Sequence, residues 1–201
     1  MAQWEPGTGS VMAHGRSRKG VGTPAIVYFQ ESTCPSTATI QLGDVVSEDS
    51  NVSTGGFRVR QGYRAGGNGA NLLSIAQHIV GIAAEASTSD GSLTGLSSAG
   101  AGLVQNRLIG IVAADPETEF IGWLGGAEAS TASQVADSSL IGTNKAVRFD
   151  STNKVYLIDS TNSTAALVMV TITGIPNGYE GDTNGPVYFK FLSSNVSAAV
   201  S

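Results

Sequence analysis

The chain has 201 residues, 41% of them apolar, enough to bury a real core as a single domain. Only 13% are charged, well below the ~25% usual for a soluble globular chain, which excludes charge-driven disorder and suits close contact with other proteins. The net charge of −5 argues against general nucleic-acid binding, and a single cysteine, Cys34, excludes an intrachain disulfide or a thiolate metal cage.

In chain order, residues 1–24 come first, rich in glycine and proline and without apolar periodicity, and are expected to form an extended arm ahead of one β-rich domain at 25–201. The opening MAQWEPGTGS lacks a charged segment followed by an apolar one, so no signal peptide is expected. AIVYFQ (25–30) is a short β-rich run. TIQLGDVVSED (39–49) carries a turn at Gly43–Asp44 followed by β-branched residues. FRVRQGYR (57–64) alternates, with Phe57 and Val59 on one face and Arg58 and Arg60 on the other, the period of a half-buried strand. Residues 72–87, LLSIAQHIVGIAAEAS, fit either a short helix or two strands, because Leu72, Ile75, Ile79 and Ile82 approximate helical spacing. Residues 87–102 are a long Gly, Ser and Ala loop.

HIVGIAAE (78–85) and LIGIVAAD (108–115) are nearly the same phrase, each too short to cross a bilayer; no apolar run nears the ~18 residues of a membrane helix. They are expected to be paired or symmetrically placed core strands, with each glycine marking a bulge or a close backbone approach. Pro116 ends any helix near Asp115, and EFIGWL then alternates Phe120, Gly122 and Leu124 against Ile121 and Trp123. AVRF, KVYLI and ALVMVTI form a meander in which DSTN recurs at 150–153 and 159–162 as a turn former, and PVYFKFLSS (186–194) alternates again. Strands are therefore predicted near 25–30, 57–63, 145–149, 154–158, 166–173 and 186–192.

Residues suited to catalysis are few. GVGTPA (20–25) has two of the three glycines of a dinucleotide loop and then a proline, and RSRKG lacks the Walker arrangement. His14 and His78 have no metal-ligand spacing around them, and Cys34 has no neighbouring base. Asp115, Glu117 and Glu119 at alternate positions would share one strand face, suited to acid–base work or a cation, and equally to a solvated acidic edge, the favoured alternative. GDTNG (181–185) echoes a calcium loop without the far ligand. No cofactor, metal or enzymatic activity is expected. Charge is uneven: residues 1–75 hold six basic and five acidic groups, residues 76–201 five and eleven, so a basic arm with Arg16, Arg18 and Lys19 precedes an acidic body.

The succession LGDVVSED, a GIAAE phrase, LIGIVAADPETEFIGW and a terminal meander resembles the head decoration (cement) proteins of tailed bacteriophages. Gly43, Asp44, Asp115, Pro116 and Phe120 carry the resemblance, which covers residues 39–192. It implies a mostly β fold, a β-barrel or β-tulip with at most one short helix, and in many members a homotrimer. It further implies attachment to the major capsid protein on the outer face of an icosahedral head after synthesis in the host cytoplasm, with an N-terminal segment that orders on docking. Nucleic acid and membrane are not expected partners. Trp4, Val11, Arg16, Arg18 and Lys19 are then the candidate capsid or subunit contacts: the two apolar residues as anchors, the three basic ones steering toward acidic patches. The alternative is another phage structural module, a tail, spike or receptor-binding protein.

Overall fold

The computed structural model describes residues 16–17, 26–31, 40–48, 58–61, 78–85, 108–125, 134–150, 155–163 and 169–197. In chain order these form β1 (Arg16–Ser17), β2 (Ile26–Glu31), β3 (Val45–Glu48), β4 (Arg58–Gln61), β5 (Ile79–Ala83) and β6 (Leu108–Ala113). There follow β7 (Thr118–Trp123), β8 (Asn144–Asp150), β9 (Val155–Asp159), β10 (Met169–Gly174) and β11 (Pro186–Phe191). Among the described residues there is no α-helix, only 3-10 turns at Ser138–Leu140 and Ser193–Asn195. The fold is mostly β and barrel-like. Every predicted strand has a counterpart, and the ambiguous stretch 72–87 contributes β5 where it is described.

Two sheets result. The first closes on itself in the order β2-β4-β3-β5-β6, antiparallel throughout except for the parallel join of β2 to β4. The two look-alike phrases are neighbours in it: Gly81, Ile82 and Ala83 lie opposite Ala113, Val112 and Ile111. Gly81 marks a bulge, because the register against β3 skips from Gly81 opposite Val46 to Ile79 opposite Ser47. A side chain there has no room: a Cβ on Gly81 would stand 2.0 Å from the carbonyl oxygen of Val112.

The bulge also sorts the side chains of β5. Val80 and Ala83 point into the barrel with Ile40, Val46, Val59, Ile109 and Ile111. Ile79 and Ile82 turn outward, into a second core. β3 is divided likewise, with Val46 inside the barrel and Val45 outside. β3 and β5 are thus a wall buried on both sides, and this explains the unbroken apolar run of β5.

The second sheet runs β1-β7-β11-β10-β8-β9 and curls. Its far edge comes round to the end of β7, where Leu124 bridges Ile158 and the Gly125 N–H donates to the Ile158 carbonyl at 3.0 Å. The alternation read from sequence sets Phe120 and Leu124 inward with Val170, Ile172, Val187 and Phe189. Phe120, Phe189 and Phe191 meet at centroid distances of 5.5–5.7 Å, in the offset and edge-to-face arrangements that aromatic rings prefer. Val45, Ile79 and Ile82 of the barrel wall close this core from the other side.

Candidate functional site

The acidic stretch Asp115-Pro116-Glu117-Thr118-Glu119 joins the two sheets, and its structure corrects the sequence expectation. The strand starts only at Thr118, so the three carboxylates do not share a strand face and do not make a solvated acidic edge. Pro116 and Glu117 form a turn, and the Asp115 carboxylate folds back over it. Asp115 Oδ1 accepts from the N–H groups of Glu117 and Thr118, both at 2.8 Å, and its Oδ2 accepts from Thr118 Oγ1 at 2.7 Å. Glu117 is exposed. Glu119 is only 2% exposed and accepts a hydrogen bond from Thr173 Oγ1 on β10. Asp115 is a turn former, and Glu119 belongs to the packed face of the sheet.

Thr173 lines a groove of about 340 Å³ between this turn and the Ser193–Asn195 turn, walled by Pro116, Phe191, Leu192 and Val196. Its cation, Lys190, donates from Nζ to the Pro116 carbonyl at 2.7 Å. The groove is largely carbon-lined.

Of the five candidate contacts, the structure places Arg16. It lies in β1, opposite Glu119, with Ser17 opposite Thr118. Trp4, Val11, Arg18 and Lys19 lie outside the described residues, as do His14 and Cys34. Of the basic stretch RSRK, the described residues Arg16 and Ser17 thus lie beside the start of β7.

No family model, curated protein or solved structure matches the chain.

Three further carboxylates, of Asp44, Glu85 and Asp137, accept from backbone N–H groups in turns, caps and a strand. The Glu48 carboxylate meets both His78 Nδ1, at 3.6 Å, and Ser197 Oγ, at 3.3 Å. The acid stands between imidazole and hydroxyl here, whereas activation of a serine needs the imidazole between them. Among the described residues no group of three His, Cys, Asp or Glu side chains could hold a metal. In GDTNG the backbone pairs with residues 134–136: Gly181 N–H donates to the Ala136 carbonyl, and Asn184 Oδ1 accepts from Gln134 N–H. That stretch is a turn. Among the described residues no helix is long and apolar enough to cross a membrane.

Two features escaped the sequence. One is a buried polar cluster. Arg148, 1% exposed, has its Nη1 at 4.0 Å from Asp159 Oδ2, and its Nε and Nη1 make no hydrogen bond. Asp159 Oδ1 meanwhile accepts from Gln134 Nε2, Thr161 N–H and Thr161 Oγ1. This cluster fastens the chain at Gln134 to the turn after β9, where the second DSTN acts as the turn former expected. The other is an apolar patch on the outside of the barrel: Ile26 is 49% exposed, Tyr28 60% and Leu108 54%, on the paired strands β2 and β6. The signal for it was present in AIVYFQ and LIGIVAAD, where apolar residues occupy both strand faces, and a strand with one wet face does not need that.

Proposed function

We propose that the chain is a non-catalytic structural protein of a phage particle, a decoration protein that binds the outer face of the head and stabilises junctions between capsid subunits. The exposed patch of Ile26, Tyr28 and Leu108 carries this reading. A contiguous apolar surface on a small barrel marks a protein contact, and the resemblance of residues 39–192 supplies the kind of contact. A decoration protein stabilises by mass action, about 2.7 kcal/mol per site when its concentration is 100 times the dissociation constant. Low charge and a surface of small and apolar residues suit that role. The patch is tested by Tyr28→Asp and Leu108→Asp, both at exposed positions. Each variant should keep its folded-state circular dichroism and thermal midpoint while losing attachment to heads. Full attachment by both folded variants would remove the patch from the contact.

A second reading, a tail, spike or receptor-binding module, is favoured by one observation. Trp123 and Tyr179 meet edge to face at 6.4 Å, with Tyr179 41% exposed. Such a module would bind host-surface glycan saturably, and Trp123→Ala would abolish the binding. A decoration protein would bind heads and leave glycan untouched.

A further inference from the structure

Gly110 leaves an indentation in the exposed patch, and three side chains converge on it. It lies on β6 opposite Tyr28, on the sheet face that also carries Ile26 and Leu108. From the point that a Cβ on Gly110 would occupy, Ile26 Cγ2 stands at 3.0 Å, Tyr28 Cε1 at 3.3 Å and Glu85 Oε1 at 3.4 Å. A methyl group, an aromatic ring and a carboxylate thus flank one spot on an otherwise apolar surface. We propose that this spot seats an arginine side chain of the protein against which the patch docks.

Three observations carry this. The first is how Glu85 is held. β5 ends at Ala83, the Ala84 N–H still donates to the Gly110 carbonyl at 2.9 Å, and the Gly110 N–H donates in turn to Glu85 Oε1 at 2.7 Å. The backbone fixes the carboxylate beside the patch, so little side-chain freedom is left to lose on binding. The second is charge. That hydrogen bond engages Oε1, and among the described residues no lysine, arginine or histidine pairs with the exposed Glu85, whose Oε2 is left to accept. A carboxylate covered by an apolar partner loses its water at a cost, and a cation brought by the partner offsets that cost. The third is Tyr28, 60% exposed with its ring edge beside Gly110. A guanidinium is planar and weakly hydrated, and it stacks on an aromatic face while its N–H fork donates to a carboxylate; a lysine ammonium lacks that fork. Ile26 and Leu108 offer carbon surface to the arginine stem and to apolar residues around it.

This rests on the reading of the patch as a contact face, and a peptide titration separates the two. The isotopically labelled chain is titrated with acetyl-Leu-Arg-Leu-amide, and with the same tripeptide carrying citrulline, which keeps the shape of arginine without its charge. The amide NMR signal of Gly110 is the readout. The arginine peptide should shift it saturably, and the citrulline peptide should bind about tenfold more weakly, as loss of a hydrogen bond between charged groups requires. Glu85→Gln keeps an oxygen for the Gly110 N–H and should erase that preference. Tyr28→Leu keeps the apolar surface and should weaken the arginine peptide selectively. Equal binding of both peptides to the native chain, or no shift with either, would overturn the proposal without recourse to any variant. A preference that survives in folded Glu85→Gln would overturn it equally. Heads are the separate arm: an arginine preference in a chain that leaves heads bare would uphold the seat and remove the head as its partner.

Discussion

The two look-alike phrases differ in what their glycines do, and substituting each by alanine separates them. At Gly81 an added Cβ would stand 2.0 Å from the Val112 carbonyl oxygen and 2.9 Å from its carbonyl carbon. Both atoms are backbone of the paired strand, so relief requires moving β6 or dissolving the bulge. Dissolving the bulge would put Val80 and Ile82 on the same face, so that one of them would meet the wrong side of a wall buried on both sides. At Gly110 the nearest atoms are side-chain carbons of Ile26 at 3.0 Å and Tyr28 at 3.3 Å. Those two residues are exposed and can yield by a few tenths of an ångström. Overpacking a tight site costs about 1–3 kcal/mol and more where backbone must shift, so Gly81→Ala should cost about 3 kcal/mol or more and Gly110→Ala less than about 1 kcal/mol. With a urea slope near 2 kcal/mol/M, the first shifts the unfolding midpoint down by about 1.5 M and the second by under about 0.5 M. Equal midpoint shifts in equilibrium urea titrations would refute the bulge as the reason for Gly81.

Phe120→Ala removes the ring that touches both Phe189 and Phe191 and should cost about 3–5 kcal/mol in the same titration; a cost under about 1 kcal/mol would mean that the sheet core is not assembled as described. Asp159→Ala should destabilise more than Arg148→Met, by about 2 kcal/mol, because it strips three hydrogen bonds and leaves a buried cation, whereas Arg148 gives up only a 4.0 Å ion pair; the reverse order would place the stabilisation in the guanidinium. Burial, and after it the negative charge of Asp44, raises the Tyr156 hydroxyl well above its ordinary value. Its stabilising contribution is therefore complete below the unfolded tyrosine's ~10 and is lost as pH rises beyond it, by about 1.4 kcal/mol per pH unit. Tyr156→Phe should abolish that part of the alkaline decline in thermal stability, and an unchanged decline would show that the hydroxyl is not the cause.

Strand positions were legible because period-two alternation survives in them. In FRVRQGYR, Val59 is fully buried, as the pattern requires. In EFIGWL, Phe120 and Leu124 face the core and Ile121 and Trp123 do not. The stretch at 72–87 was ambiguous for a physical reason: the bulge at Gly81 inserts one residue, so Ile79 and Ile82 share a core at a spacing of three, which mimics a helix. The acidic stretch misled because a turn at Pro116 and Glu117 interrupts the alternation just where counting by twos needs it unbroken. Nothing local to AVRF marks Arg148 as buried, since its partner Asp159 is itself held by Gln134, 25 residues away in the chain. Arg16 was picked out for its charge, but its station opposite Glu119 depends on contacts 103 residues apart (119 − 16) that no local pattern encodes.

The central claim, attachment to a phage head, is tested most directly by incubating the purified chain with empty heads that lack it, sedimenting the mixture, and heating or osmotically shocking the washed particles. The account predicts saturable co-sedimentation with a fixed number of copies per head, and survival of decorated heads under conditions that rupture bare ones. A chain that stays in the supernatant at every concentration, with bare and treated heads rupturing alike, would contradict it.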